Sequence, residues 1–145
     1  MNEEHIPKEH NAIESKDIQE DKKEQRQEDK QQEVPQHVFA TIDDFQKIEI
    51  KMGTVLSVSI VEGADKLYIL SVDCGEEKPR QILSGIREYV VEEELLGKQF
   101  PFVTNLAPRM LRGHESQGMI LAGSDADGLA LLNPTKLLAN GTRLR

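Results

Sequence analysis

Tryptophan is absent from this 145-residue chain, and aromatic residues make up only 4% of it. Any core must therefore rest on aliphatic side chains and a few phenylalanines. A single cysteine, Cys74, excludes an intrachain disulfide. No Cys-x-x-Cys or Cys/His cluster marks a zinc site, so neither a metal nor a cofactor is expected. Cys74 reads as a half-buried strand residue without a redox role. Long apolar runs are also missing. No segment approaches roughly 18 apolar residues, and the N-terminus, MNEEHIPKEH, has no apolar signal region. These absences predict a soluble, cytoplasmic protein with no membrane role. Histidine is scarce as well, and three of the four, His5, His10 and His37, lie in or beside an N-terminal polar stretch. No Ser/His/Asp set can be assembled, and no glycine loop of the P-loop type is present. Glu92, Glu93 and Glu94 read as one face of a helix and not as a catalytic pair. The expectation is a protein that is not an enzyme.

What is present is unevenly spread. Net charge is -8, with 11 acids and 6 bases in residues 1–40 against 15 acids and 12 bases in residues 41–145. Residues 1–36 are rich in Glu, Gln, Lys and Asp, and Ile6, Ile13, Ile18 and Val34 are their only large aliphatics. Such a segment buries too little surface to offset the entropy of ordering. Residues 17–32 favour helix by composition, but an isolated helix of that length is marginal. The chain is therefore divided into a disordered or weakly helical tail, 1–38, and a folded domain, 39–145. About a hundred residues suffice for a small domain to fold alone.

Within the domain the pattern is that of short strands. Thr41 and Asp44 have the spacing of a capping box, with Phe45 expected to pack the short helix that follows. Residues 48–61 alternate Ile48, Ile50 and Met52 with Glu49 and Lys51, then continue β-branched and apolar: a long strand, with Gly53 as a bulge or bend. In this alternation Lys51 points outward and Met52 inward. Strands are read at 67–72 and 80–84, a short helix at 91–96, and a fourth strand at 99–104. A loop, 105–117, leads to a fifth strand from 118 to 122. Beyond it lie a polar turn at 123–128, a pairing segment at 129–132, and turn signals at Asn133-Pro134 and Asn140-Gly141. Five short strands with one helix between the third and fourth make an all-β domain with short helices. That is the order of an OB-fold Greek-key barrel with a C-terminal extension, a fold whose face and loops bind oligonucleotides or sugars.

Six blocks then carry a closer likeness. They are Phe45-x-Lys47-Ile48-Glu49-Ile50-Lys51-Met52-Gly53; Ala64-Asp65-Lys66-Leu67-Tyr68; Val72-Asp73-Cys74-Gly75; Arg80-Gln81-Ile82-Leu83-Ser84-Gly85-Ile86; Asn105-Leu106-Ala107-Pro108-Arg109; and Leu111-Arg112-Gly113-His114-Glu115-Ser116-Gln117-Gly118-Met119. In this order they resemble the tRNA-binding domain family. That family includes the C-terminal extension of methionyl-tRNA synthetases, free-standing tRNA-binding proteins and the cofactors of synthetase complexes. The resemblance implies an OB barrel that binds tRNA without chemistry of its own. It further implies a companion or β subunit of methionyl-tRNA synthetase, and a homodimer. The Ala64–Tyr68 block looks like the methionyl-synthetase branch; the related secretion-chaperone branch looks different there. The alternative reading is a protein–protein adaptor or dimerisation module, a secretion-chaperone-like relative included.

By the same resemblance, RNA contacts fall on Lys51, Asn105, Arg109, Arg112, Ser116 and Met119, with Arg80 a weaker candidate. The chemistry suits RNA. Arginines pair with phosphate or stack on a base, an amide serves a 2'-hydroxyl or base edge, a hydroxyl donates to phosphate, and a thioether offers an apolar platform. Each residue has a plainer reading. Lys51 alone is a solvated strand lysine, and Asn105 caps a turn. The two arginines pair with Glu115 or Asp125, Ser116 bonds the loop backbone, and Met119 belongs to the core. In so acidic a chain the positive charge facing RNA must be local. Residues 129–138, LALLNPTKLL, are apolar enough to form a dimer surface.

Overall fold

A computed structural model describes residues 38–145 of the chain. The chain divides into two units, Met1–Phe39 and Ala40–Arg145, and the architecture below is that of the second. The expected tail, its helical stretch included, lies outside the described residues.

The domain begins with α1 (Ile42–Gln46), set by its cap. Thr41 Oγ1 accepts from Asp44 N at 3.2 Å, and Asp44 Oδ2 accepts from Thr41 N at 3.1 Å. This reciprocal box satisfies two N–H groups that a helix start otherwise leaves without partners. Phe45 packs this helix only partly, remaining 44% exposed, and no residue of α1 is fully buried.

The spine is β1 (Ile50–Ile60). Its length lets it serve two partners in succession. Ile50 to Thr54 pair with β4 (Gln99–Val103), and Thr54 to Ile60 pair with β2 (Tyr68–Asp73). β2 pairs onward with β3 (Arg80–Ser84), and β4 with β7 (Met119–Ile120), every ladder antiparallel. The strand order is β3-β2-β1-β4-β7. Gln117 N donates to Gln81 O at 2.8 Å, bringing the start of β7 against β3. The sheet is thereby nearly closed into the five-stranded Greek-key barrel of the OB type. The short helix α2 (Glu92–Leu95) stands between β3 and β4 and buries Leu95.

Period-two alternation aims Tyr68, Leu70 and Val72 of β2 into the core, where they meet Val55, Ile82, Leu95, Phe100, Phe102 and Ile120. Each such side chain contributes about 1.5–3 kcal/mol relative to exposure. β4 is buried at all five positions, so its sequence, QFPFV, does not alternate. The kink in β1 is not at Gly53. The register skips at Leu56, between the pairs Val55↔Val72 and Ser57↔Ser71, which is the two-against-one count of a bulge. Gly53 has another task. A Cβ there would stand 2.7 Å from Val72 Cγ1 and 3.0 Å from Cys74 Sγ, so glycine lets β1 pass closely over the end of β2. Cys74 is not half-buried but fully enclosed just past β2, and burial pushes its thiol up to about 11.

The remaining corrections concern the second half. Residues 105–117 are not an open loop; they contain the hairpin β5 (Arg109–Leu111) and β6 (His114–Ser116). The fifth barrel strand is only Met119–Ile120; beyond it the expected pairing segment is β9 (Gly128–Leu131), which forms a separate hairpin with β8 (Ala122–Asp125), so the polar turn is shorter than 123–128. Leu129 and Leu131, partly buried, pack against the core. The chain then returns to β1. Gly141 N donates to Met52 O at 2.8 Å, Met52 N to Thr142 O at 2.9 Å and Leu144 N to Ile50 O at 2.8 Å. Asn140, read as a turn residue, locks this strap. Its Oδ1 accepts from Thr54 Oγ1 and Gln99 Nε2, and its Nδ2 donates to Asp73 Oδ2.

Candidate nucleic-acid interface

The sequence-predicted residues gather around the end of β4 and the hairpin that follows it. Lys51 is in register with Phe102 of the core. Directly paired residues of antiparallel strands share a face, so Lys51 projects to the barrel side of the sheet and not outward as the alternation suggested. It is kept from the interior by standing at the mouth of the barrel, where carboxylates meet it. Nζ lies 2.9 Å from Glu49 Oε1 and 3.4 Å from Glu76 Oε1. The Glu49 hydrogen bond raises the Lys51 pKa against the opposing effect of burial. In turn Lys51, then the Thr104 hydroxyl at 2.8 Å, hold Glu49 below the usual carboxylate range.

Asn105 clamps rather than caps. Its Oδ1 accepts from Glu49 N at 2.8 Å, and its Nδ2 donates to Lys47 O at 2.6 Å. An amide can do both at once because it carries a donor and an acceptor on one planar group. The clamp ties the end of β4 to the approach of β1, two residues before Lys51.

Arg80 is the most heavily engaged side chain here. Nε and Nη2 form a fork on Glu76 at 2.8 and 2.9 Å, while Nη1 donates to Thr104 O at 2.7 Å and Gln117 O at 2.9 Å. Glu76 is held below the usual carboxylate range first by Arg80, and Arg80 is raised first by Glu76. Thr104 and Gln117 flank the 105–116 arm, so one guanidinium pins both of its feet.

Beyond its feet the arm is seated by three further contacts. Ser116 is buried; its Oγ accepts from Leu83 N at 3.0 Å and donates to Gly118 O at 3.1 Å. Its one proton is thus directed at a backbone carbonyl. Gln81 Nε2 donates to Glu115 O at 2.9 Å, and Leu111 packs against the Val61, Ala64 and Leu83 cluster. The hairpin turns through Arg112 and Gly113, at φ 50° and 81°. Two positive φ values are the signature of a tight two-residue turn whose twist suits the strands. Gly113 adopts this conformation without steric cost; Arg112 is the one non-glycine residue at positive φ among the described residues.

Arg109 and Arg112 are exposed, and neither guanidinium has a hydrogen bond or ion pair among the described residues. The pairing with Glu115 or Asp125 does not occur. Met119 is 47% exposed beside Val103, on the surface and not in the core. The structure therefore brings Lys51, Arg80, Asn105 and Met119 to one end of β4, with Arg109 and Arg112 along the pinned arm. Sequence reasoning missed Glu49, Glu76, Thr104 and Gln117. Glu76 and Arg80 are four apart, but no helix joins them, so helical spacing gave no signal.

Comparison with known proteins agrees with this architecture. Residues 50–143 match the family described as "Putative tRNA binding domain". The chain is 48% identical over 103 residues to the methionine–tRNA ligase of Methanococcoides burtonii, covering 70% of this chain and 15% of that one. It is 46% identical over 114 residues to methionine–tRNA ligase 1 of Bacillus cereus, covering 79% of this chain and 17% of that one. The chain thus spans about a sixth of these ligases' length. Among solved structures, a MetRS-related protein from Pyrococcus horikoshii superposes with TM-score 0.70 at 35% identity, covering 74% of this chain and 99% of that one. The chaperone CsaA from Bacillus anthracis superposes with TM-score 0.67 at 28% identity, covering 74% and 100%.

Proposed function

The chain belongs to the tRNA-binding domain family, and from that premise we propose that it is a non-catalytic tRNA-binding protein. In this reading it is a cytoplasmic companion, or β subunit, of a methionyl-tRNA synthetase. The observation that carries the reading is the pair of exposed arginines, Arg109 and Arg112, whose side chains have no partner among the described residues, on an arm whose feet are fixed by Arg80. A flexible arm would lose much of its binding energy to ordering; a pinned one loses less. Beside the arm, Lys51 provides a cation at the barrel mouth, and Asn105 clamps the backbone that leads to it. Binding tRNA beside a synthetase adds a second site and raises the local tRNA concentration without new chemistry.

The test is affinity for unfractionated tRNA as a function of salt. Wild type is expected to bind, with log K falling linearly against log salt. The double variant Arg109→Ala/Arg112→Ala is expected to bind more weakly and with a shallower slope, by about 0.7 for each phosphate no longer neutralised. Absence of binding by the wild type, or a double variant that binds as well, refutes this reading.

The proposal extends to a homodimer. Leu132 and Leu137 of the expected surface remain exposed. A groove of about 410 Å3 runs between α1 and the C-terminal strap, with Ile42, Phe45, Ile48 and Leu144 as its apolar lining and Gln46, Arg143 and Arg145 as its polar lining. Apolar side chains on α1 that stay largely exposed, Ile42 at 68% and Phe45 at 44%, favour a second copy. Light scattering at high concentration tests it, with a monomer as the refuting result. The same groove, with the fold shared with CsaA, favours as a second reading a protein–protein module, whose partner would stay bound after nuclease treatment.

A further inference from the structure

Between the β2–β3 turn and the base of the arm lies a shallow cleft of about 620 Å3. Pro79, Leu106 and Pro108 give it apolar walls, and Glu76, Lys78 and Arg80 are among its polar lining. Arg80 is a cation in a cleft beside an RNA-binding arm, and the simple expectation is a phosphate contact. Its hydrogen bonds argue otherwise. A guanidinium has five N–H donors in one plane. Four hydrogen bonds already engage it, two to the Glu76 carboxylate and two to the carbonyls of Thr104 and Gln117. No free fork remains for a phosphate. What the Glu76–Arg80 pair still offers a ligand is the flat face of a neutralised, hydrogen-bonded plane.

The charges of the cleft agree. Glu76 and Glu77 offset Lys78 and Arg80 in its lining. A site without net positive charge, and with a second carboxylate at Glu77, does not draw in a phosphate. Apolar walls, a planar ion pair and carboxylate acceptors for exocyclic amino groups suit a heterocycle instead. Unstacked bases are bound in single-stranded RNA by planar or apolar side chains and by hydrogen bonds to their edges.

We propose that this cleft is a receptor for one unstacked base of a bound RNA, with Leu106 and the prolines as its walls and Arg80, held flat by Glu76, as its platform. The inference rests on the tRNA-binding reading and adds a base-recognition site to it. Phosphates are left to Arg109, Arg112 and Lys51. Glu76 is a positioning residue, acting through Arg80.

Three measurements test this, all on the full chain, with thermal melts to verify folding. The first is Leu106→Ala. Its affinity for unfractionated tRNA should fall about fivefold, the lower end for a base-stacking contact, with the salt slope unchanged. Wild-type affinity, or a shallower slope, overturns the proposal. The second is Glu76→Gln in a Lys51→Ala background, which removes a negative charge from the cleft without freeing Lys51 from its own pairing with Glu76. If the cleft takes phosphate, affinity must rise above that of Lys51→Ala and the salt slope steepen; the proposal requires affinity to be unchanged or lower. The third is competition against bound tRNA by a ten-residue oligoadenylate and by an abasic ribose-phosphate chain of equal length. The two carry equal charge, so the base-bearing oligomer must compete better with wild type, and the advantage must shrink in Leu106→Ala. Equal competition by both chains overturns the base site. Failure of wild type to bind tRNA at all would instead refute the underlying reading.

Discussion

Replacing Asn105 separates a structural clamp from an RNA contact. In the free protein its amide makes two hydrogen bonds, from Glu49 N at 2.8 Å and to Lys47 O at 2.6 Å. A neutral hydrogen bond contributes about 0.5–1.5 kcal/mol net, and the exposure of Asn105 places both bonds in the lower half of that range. Asn105→Ala is therefore expected to cost about 1–2 kcal/mol. For a domain of about a hundred residues this lowers Tm by about 4–15 °C. Asn105→Asp sharpens the argument. A carboxylate still accepts from Glu49 N, but its second oxygen faces the Lys47 carbonyl, where a donor stood. At about pH 7 the Asp variant should be no more stable than the Ala variant. Relative to the Ala variant it should recover as pH falls toward the unfolded aspartate value of about 3.9, because a protonated carboxyl donates again and is favoured in the fold. The assay is differential scanning fluorimetry across pH, with tRNA affinity measured below the lowest Tm. Removing the clamp loosens the approach to Lys51, so affinity should fall together with stability. A variant with wild-type Tm and a tenfold drop in affinity would refute this reasoning and make Asn105 a direct contact.

Three further outcomes are expected. Ser116→Ala leaves Leu83 N without its buried acceptor, which costs about 1–3 kcal/mol. Its urea midpoint should drop while tRNA affinity under folding conditions stays within about twofold, the structure having aimed its proton at Gly118 O. Gly53→Ala forces a Cβ to within 2.7 Å of Val72 Cγ1, an overpacking that costs about 1–3 kcal/mol in chemical denaturation. Acid should unfold the domain in part through the mouth cluster. Glu49 and Glu76 have folded pKa values below the ordinary glutamate value of 4.5, owing first to Lys51 and Arg80 respectively. Their contribution is present above the unfolded pKa and is lost as pH falls through the folded values. Denaturation midpoints measured from about pH 6 to about pH 2 should thus decline less steeply in Glu76→Gln than in wild type; parallel curves would contradict the assignment.

Much of the fold was legible because strand periodicity and turn chemistry are local. The Thr41–Asp44 box, β2 and β3 follow from residue types a few positions apart. The blocks from Phe45 to Met119 also named the family and drew attention to Arg109 and Arg112 on the arm. What failed were positions whose surroundings come from distant chain. Alternation around Lys51 could not show that β4 would set it opposite Phe102, nor that Glu76 would come to meet it. β4 lost its alternation because it is covered on both faces. The hairpin within 105–117 was hidden because its strands are three residues each and are held by Arg80 and Ser116, not by their own pattern.

The division follows from the range of the forces. Composition and spacing alone determined that the domain is β-rich and without disulfides, and its six sequence blocks, by resemblance, named a family whose members bind tRNA. Tertiary structure decided which cations remain free to do so. Arg80 and Arg109 are the same residue type, yet one is bound to Glu76 and two carbonyls while the other meets solvent. A guanidinium's hydrogen bonds are satisfied by whatever the fold brings within about 3 Å. No count of arginines along the chain reports that.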